Sequence, residues 1–126
     1  NIEINGGFKT LKSISKALEN VDGVMIGRAS YEDCYLLANL NKLNDENSKV
    51  ISRGEIIKSY IPYVQEELEK GSNVHMLASP LHSLLQGQTG SRKYKQLLSS
   101  ANVKKDTLIQ ILNEILETMP QDILWN

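Results

Sequence analysis

One cysteine in 126 residues excludes an internal disulfide and a multi-cysteine metal site, and suits a reducing compartment, the cytoplasm by default. The two histidines, His75 and His82, are seven apart rather than the three or four that would place metal ligands on adjacent turns. No apolar run approaches the ~18 residues of a membrane span, and no signal peptide is visible. A net charge of -1 gives no overall drive toward nucleic acid or membrane, so any such binding must be local. Cys34, among Tyr35, Leu36 and Leu37, reads as an inert thiol, with no basic partner nearby in sequence. Glu66, Glu67 and Glu69 read as a solvated face, and nothing composes a Ser-His-Asp arrangement. Only three prolines occur, and Pro62, Pro80 and Pro120 each mark a bend, break or end of a helix.

What is present begins with two short apolar runs that stop at glycine, "IEINGG" and "GVMIGR". Ile2–Ile4 and Val24–Ile26 read as strands of the fully buried type. Between them, "TLKSISKALENV" places Leu11, Ile14, Ala17, Leu18 and Val21 on one helical face, with Thr10 as N-cap. Strand, helix and strand form the repeat of a parallel α/β sheet. A further helix is expected after Arg28, carrying Tyr31, Leu36 and Leu37. The chain opens on Asn1 with residues already of strand character, so it reads as the C-terminal piece of a longer protein.

"NLNKLNDENSK" (39–49) is polar and reads as a linker. Beyond it the pattern is helical. "SRGE" (52–55) has capping-box spacing, and Ile57, Tyr60, Ile61, Val64 and Leu68 form a stripe ending at Gly71. Val74 to Gln86 is broken at Ser79-Pro80, Ser91 opens a short helix, and Leu108, Ile111, Leu112, Ile115 and Leu116 define the last one. Four helices with short joints form a small bundle. Trp125 lies in the tail, able to pack on the bundle or on another domain.

A parallel strand ending in glycine brings the following backbone close to a ligand, with N–H groups open to an anion. TIM barrels build a phosphate site from the loops after strands seven and eight. Gly6-Gly7 and Gly27-Arg28 suit two such loops, Arg28 adding a planar fork of donors. Each motif alone also suits an ordinary turn. Between Gln88 and Lys105 lie five Lys or Arg residues and no acid. Arg92 and Lys95 oppose Tyr94, Leu97 and Leu98 on the short helix, with Lys93 at the flank, which suits either a phosphate backbone or a plain solvated face.

"IEINGGFKTL…VDGVMIGRASY" resembles the last two barrel strands of the tRNA-dihydrouridine synthases, and "YIPYVQEEL…HSLLQGQTGSRKYKQLLS" resembles their C-terminal helical domain in the A-type branch. The resemblance implies an α/β then all-α fragment: the last two βα units of a TIM barrel (1–38), a linker (39–51) and a helical tRNA-binding domain (52–126). It implies that Asn5, Gly6, Gly7, Gly27 and Arg28 hold the phosphate end of FMN, and that Arg92, Lys93 and Lys95 face tRNA. The implied reaction is FMN-dependent reduction of uridine to dihydrouridine in cytoplasmic tRNA, with NADPH as reductant. No metal or membrane is implied. The catalytic cysteine belongs to the missing N-terminal barrel, so the chain alone is expected to be inactive. Ser79-Pro80, Asp33-Cys34 and Thr89 depart from the family's usual residues. The alternative is a truncated module whose helices bind RNA or a protein partner.

Overall fold

The computed structural model describes residues 3–5, 7–45 and 47–126; nothing is described of the side chains of Ile4, Asn5, Lys42 and Asn44. The chain divides into two compact units, Asn1–Val50 and Ile51–Asn126.

In the first unit, Thr10 caps helix α1 (Leu11–Leu18). Its hydroxyl accepts from the Ser13 amide at 3.1 Å, and the Thr10 amide donates back to the Ser13 hydroxyl at 3.4 Å. α1 connects strand β1 (Glu3–Asn5) to strand β2 (Gly23–Met25). The strands are parallel, with Glu3 opposite Gly23 and Asn5 opposite Met25. Ile14 is buried, and α1 packs on β2 and on helix α3 (Tyr35–Asn44). Ile2 lies outside the described residues.

Three expectations need correction. Strand β2 is not fully buried, because among the described residues the sheet has only two strands; Val24 is half-buried and Met25 is 51% exposed. The helix expected after Arg28 is two helices, α2 (Arg28–Glu32) and α3, because Asp33 takes φ −147°, ψ 87° and ends the first. The expected linker is helical through Asn44, since Leu36, Leu40 and Leu43 continue the helical period despite the polar composition around them. The Asn39 side-chain Nδ2 also donates to the Tyr35 carbonyl at 3.3 Å.

The second unit starts at a capping box. The Ser52 hydroxyl accepts from the Glu55 amide at 3.1 Å, and the Glu55 carboxylate accepts from the Ser52 amide at 3.1 Å. Helix α4 (Arg53–Glu69) runs uninterrupted past Pro62, which is exposed. Ile57, Val64 and Leu68 are buried beneath it. Helix α5 (Val74–Ala78) passes into a single 3-10 turn, Ser79–Leu81, at the expected Ser-Pro break. Tyr60 ties α4 to α5 by donating to the Leu77 carbonyl at 2.8 Å. Burial, and then neighbouring Tyr63, hold the Tyr60 phenol above its ordinary pKa. Helices α6 (Ser91–Leu97) and α7 (Leu108–Thr118) follow, and α7 packs on both α4 and α6.

A fifth helix, α8 (Gln121–Trp125), was not expected. Gln121 anchors it, donating to the Leu116 and Met119 carbonyls at 3.1 and 2.9 Å and accepting from the Trp125 indole at 3.0 Å. α8 packs on α4, with Leu124 fully buried. Trp125 lies over Gly54, where a Cβ would stand 2.8 Å from the indole ring.

That contact gives a sign-reversing expectation. Gly54→Ala in the intact chain displaces the only tryptophan, red-shifting its emission and costing about 1 kcal/mol of stability. In a Trp125→Ala background the same change is neutral or stabilising by up to about 1 kcal/mol, since alanine is the better helix former. Equal effects in both backgrounds, read by denaturant melts, would contradict the packing described.

Candidate phosphate and nucleic-acid sites

The turns after β1 and β2 open onto a cleft of about 440 Å³ in the first unit. Gly7, Gly27 and Arg28 line it together with Lys9, Met25 and Glu32. Of the five residues expected around a phosphate, the structure thus gathers three. Asn5 is the last residue of β1 with its side chain undescribed, and Gly6 lies outside the described residues. Gly7 takes a left-handed φ of 62°, and the α2 N-terminus after Gly27 has no side-chain cap. Arg28 is exposed. Lys9 and Glu32 were missed by sequence reading. Lys9 lies two residues past "NGG" and Glu32 one helical turn past Arg28, spacings that alone could have found them.

In the second unit, α6 presents two opposite faces. Tyr94 is fully buried and donates its hydroxyl to the Leu81 carbonyl, and Leu98 is buried beside it. Arg92, Lys93 and Lys95 all lie exposed. The Lys95 amine donates to the side-chain carbonyl of Gln86 at 3.1 Å, a neutral partner that leaves its charge uncancelled. Gln86 opens the "QGQTGSR" motif, so the motif both turns the chain into α6 and holds one of its lysines. Gly90 sits at the helix start with φ 91°, its α-carbon close against Pro120. Cys34 precedes α3 half-buried, and among the described residues no three His, Cys, Asp or Glu side chains gather as a metal site. No helix among the described residues is long and apolar enough to cross a membrane.

A family model described as "Dihydrouridine synthase (Dus)" matches residues 1–121. The chain belongs to the dihydrouridine synthase family. A tRNA-dihydrouridine(20/20a) synthase of Vibrio parahaemolyticus is 32% identical over 123 residues, 97% of this chain and 38% of its own length. Proteins of the same name from Synechocystis (35% identical over 117 residues) and Pseudomonas syringae (36% over 114) cover 92% and 90% of this chain. The match takes in 35% and 34% of those two relatives. The chain therefore spans little more than a third of the length of the curated relatives it matches, in their C-terminal part.

Gly90→Ala puts a side chain into left-handed backbone and a Cβ 3.1 Å from the Pro120 ring. The expected outcome is a loss of about 1–3 kcal/mol in thermal or denaturant unfolding of the chain. A variant as stable as the parent would show that α6 is not held against Pro120.

Proposed function

We propose that this chain is the C-terminal portion of a tRNA-dihydrouridine synthase of the A-type branch, whose whole form reduces uridine to dihydrouridine in tRNA with FMN and NADPH. The observation that carries the reading is the cleft where Gly7, Gly27 and Arg28 converge at the C-terminal ends of two parallel strands. That is where a TIM barrel holds phosphate. The residues fit the phosphate end of FMN. Two turns allow close backbone approach, and Arg28 and Lys9 supply cationic donors against the single carboxylate of Glu32. Half-buried Val24 and exposed Met25 on β2 suit a sheet continued by further barrel strands.

When bound, the flavin supplies the hydride; this chain's residues position it. The acid that protonates the uracil ring belongs to the remainder of the barrel, so the chain alone does not turn over. The exposed face of α6, with Arg92, Lys93 and Lys95, lies along tRNA phosphates. Recognition there rests on shape and charge more than on base edges. The catalytic site in turn takes the target base out of its stack.

The test is Arg28→Ala in the whole protein. A charge-assisted contact of this kind is worth roughly 1.5–3 kcal/mol, so FMN affinity falls about tenfold to a hundredfold. Because Arg28 is exposed, the melting temperature of the flavin-free protein barely moves. Unchanged affinity in a flavin titration would remove Arg28 from the site and with it the two-turn phosphate reading.

A further inference from the structure

Thr107 precedes α7 at the position where a threonine hydroxyl ordinarily caps a helix, yet it makes no capping bond. Its hydroxyl turns backward instead. It accepts from the Lys104 amide at 2.9 Å and donates to the Asn102 carbonyl at 2.9 Å. The Lys104 carbonyl in turn accepts from the Thr107 and Leu108 amides at 3.0 and 3.1 Å. Asn102 extends this network to α6, its side-chain amide donating to the Gln96 carbonyl at 2.8 Å. Val103, between Asn102 and Lys104, is buried with 1% exposure and pins the loop from below.

The helix thus forgoes a cap worth about 1 kcal/mol while the loop gains a fixed shape. What that loop displays is Lys104 and Lys105, both exposed. No ion pair joins either to a carboxylate among the described residues, although Asp106 follows directly and Glu114 borders the adjoining cleft with Asn102 and Thr107. Gln96, to which the loop is tied, directly follows Lys95. Consecutive Cα atoms lie about 3.8 Å apart, so Lys104 is within about 8 Å of the Asn102 that makes the tie.

We infer that the Lys104–Lys105 loop is a second RNA-phosphate contact continuous with the α6 face, and that Thr107 is its positioning residue. This rests on the reading of α6 as a tRNA-facing surface. A phosphate backbone running off Lys95 meets the two loop lysines next, at a place the backbone has already fixed, so little ordering entropy is lost on binding.

The experiment is a salt series of binding by the whole protein to one folded tRNA transcript. Lys104→Gln/Lys105→Gln should flatten the log-affinity against log-salt slope by about 1.4–1.8 units with no change in melting temperature. Thr107→Val should weaken binding several-fold, Thr107→Ser should retain it, and Thr107→Val should add nothing in the double-lysine background. An unchanged slope for the loop pair, with Arg92→Gln/Lys95→Gln still flattening it, would overturn the inference and leave the α6 reading standing. Unchanged slopes for both pairs would overturn both. Equal losses from Thr107→Val in the two backgrounds would reduce Thr107 to a stabilising residue and refute its positioning role. Should Thr107→Val fail to fold, the loop pair and Thr107→Ser still decide.

Discussion

Tyr94 is the point on which the helical unit's architecture turns. Its ring is fully buried and its hydroxyl is satisfied by the Leu81 carbonyl. Burying a large aromatic is worth several kcal/mol only if its polar end finds a partner. The 3-10 turn at Ser79–Leu81 supplies one by placing that carbonyl at the hydroxyl. With Tyr94 inward, the geometry of a seven-residue helix leaves Arg92, Lys93 and Lys95 outward. Gly90 against Pro120 fixes the start of α6, and Asn102 on Gln96 fixes its end. Core packing and the display of charge are therefore one constraint seen from two sides.

The same economy governs the rest of the unit. Ile57 and Val64 from α4, Leu108, Leu112 and Ile115 from α7 and Leu124 from α8 are all at most 1% exposed. Each contributes roughly 1.5–3 kcal/mol of burial. Helices α5 to α8 are each too short to be stable alone, so they persist through packing on one another and on α4. Acidic side chains are interspersed: Asp106 directly follows Lys105, Glu114 and Glu117 lie on α7, and Glu66 and Glu67 pair with Lys70 at 3.2 and 3.7 Å. Such exposed pairs add little stability.

Much of this was legible in the residues. The Ser52–Glu55 box, the Ile57–Val64–Leu68 stripe, the break at Ser79-Pro80 and the division of faces on α6 all follow local rules, and local rules are what a sequence displays. The misses share a different cause. The Asp33 break and helix α8 depend on backbone geometry and on contacts between distant residues, such as Trp125 over Gly54. The polar helix at 39–44 was masked by composition that resembles a linker. In the candidate cleft, Gly7, Gly27 and Arg28 were readable from motif; Lys9 and Glu32 lie at short spacings from those motifs but carry no motif of their own. Thr107 carries no signal in the sequence, and only its hydrogen bonds show it serving the loop.

The proposed tRNA contact lies on the exposed face of α6 and the loop that follows it. The most direct measurement is lysine footprinting by mass spectrometry, acetylating the whole protein with and without folded tRNA. Lys93, Lys95, Lys104 and Lys105 should lose reactivity together, while Lys58 and Lys70, exposed on and just after α4, keep theirs. Protection at Lys58 and Lys70 with none on α6 and its following loop would contradict the account.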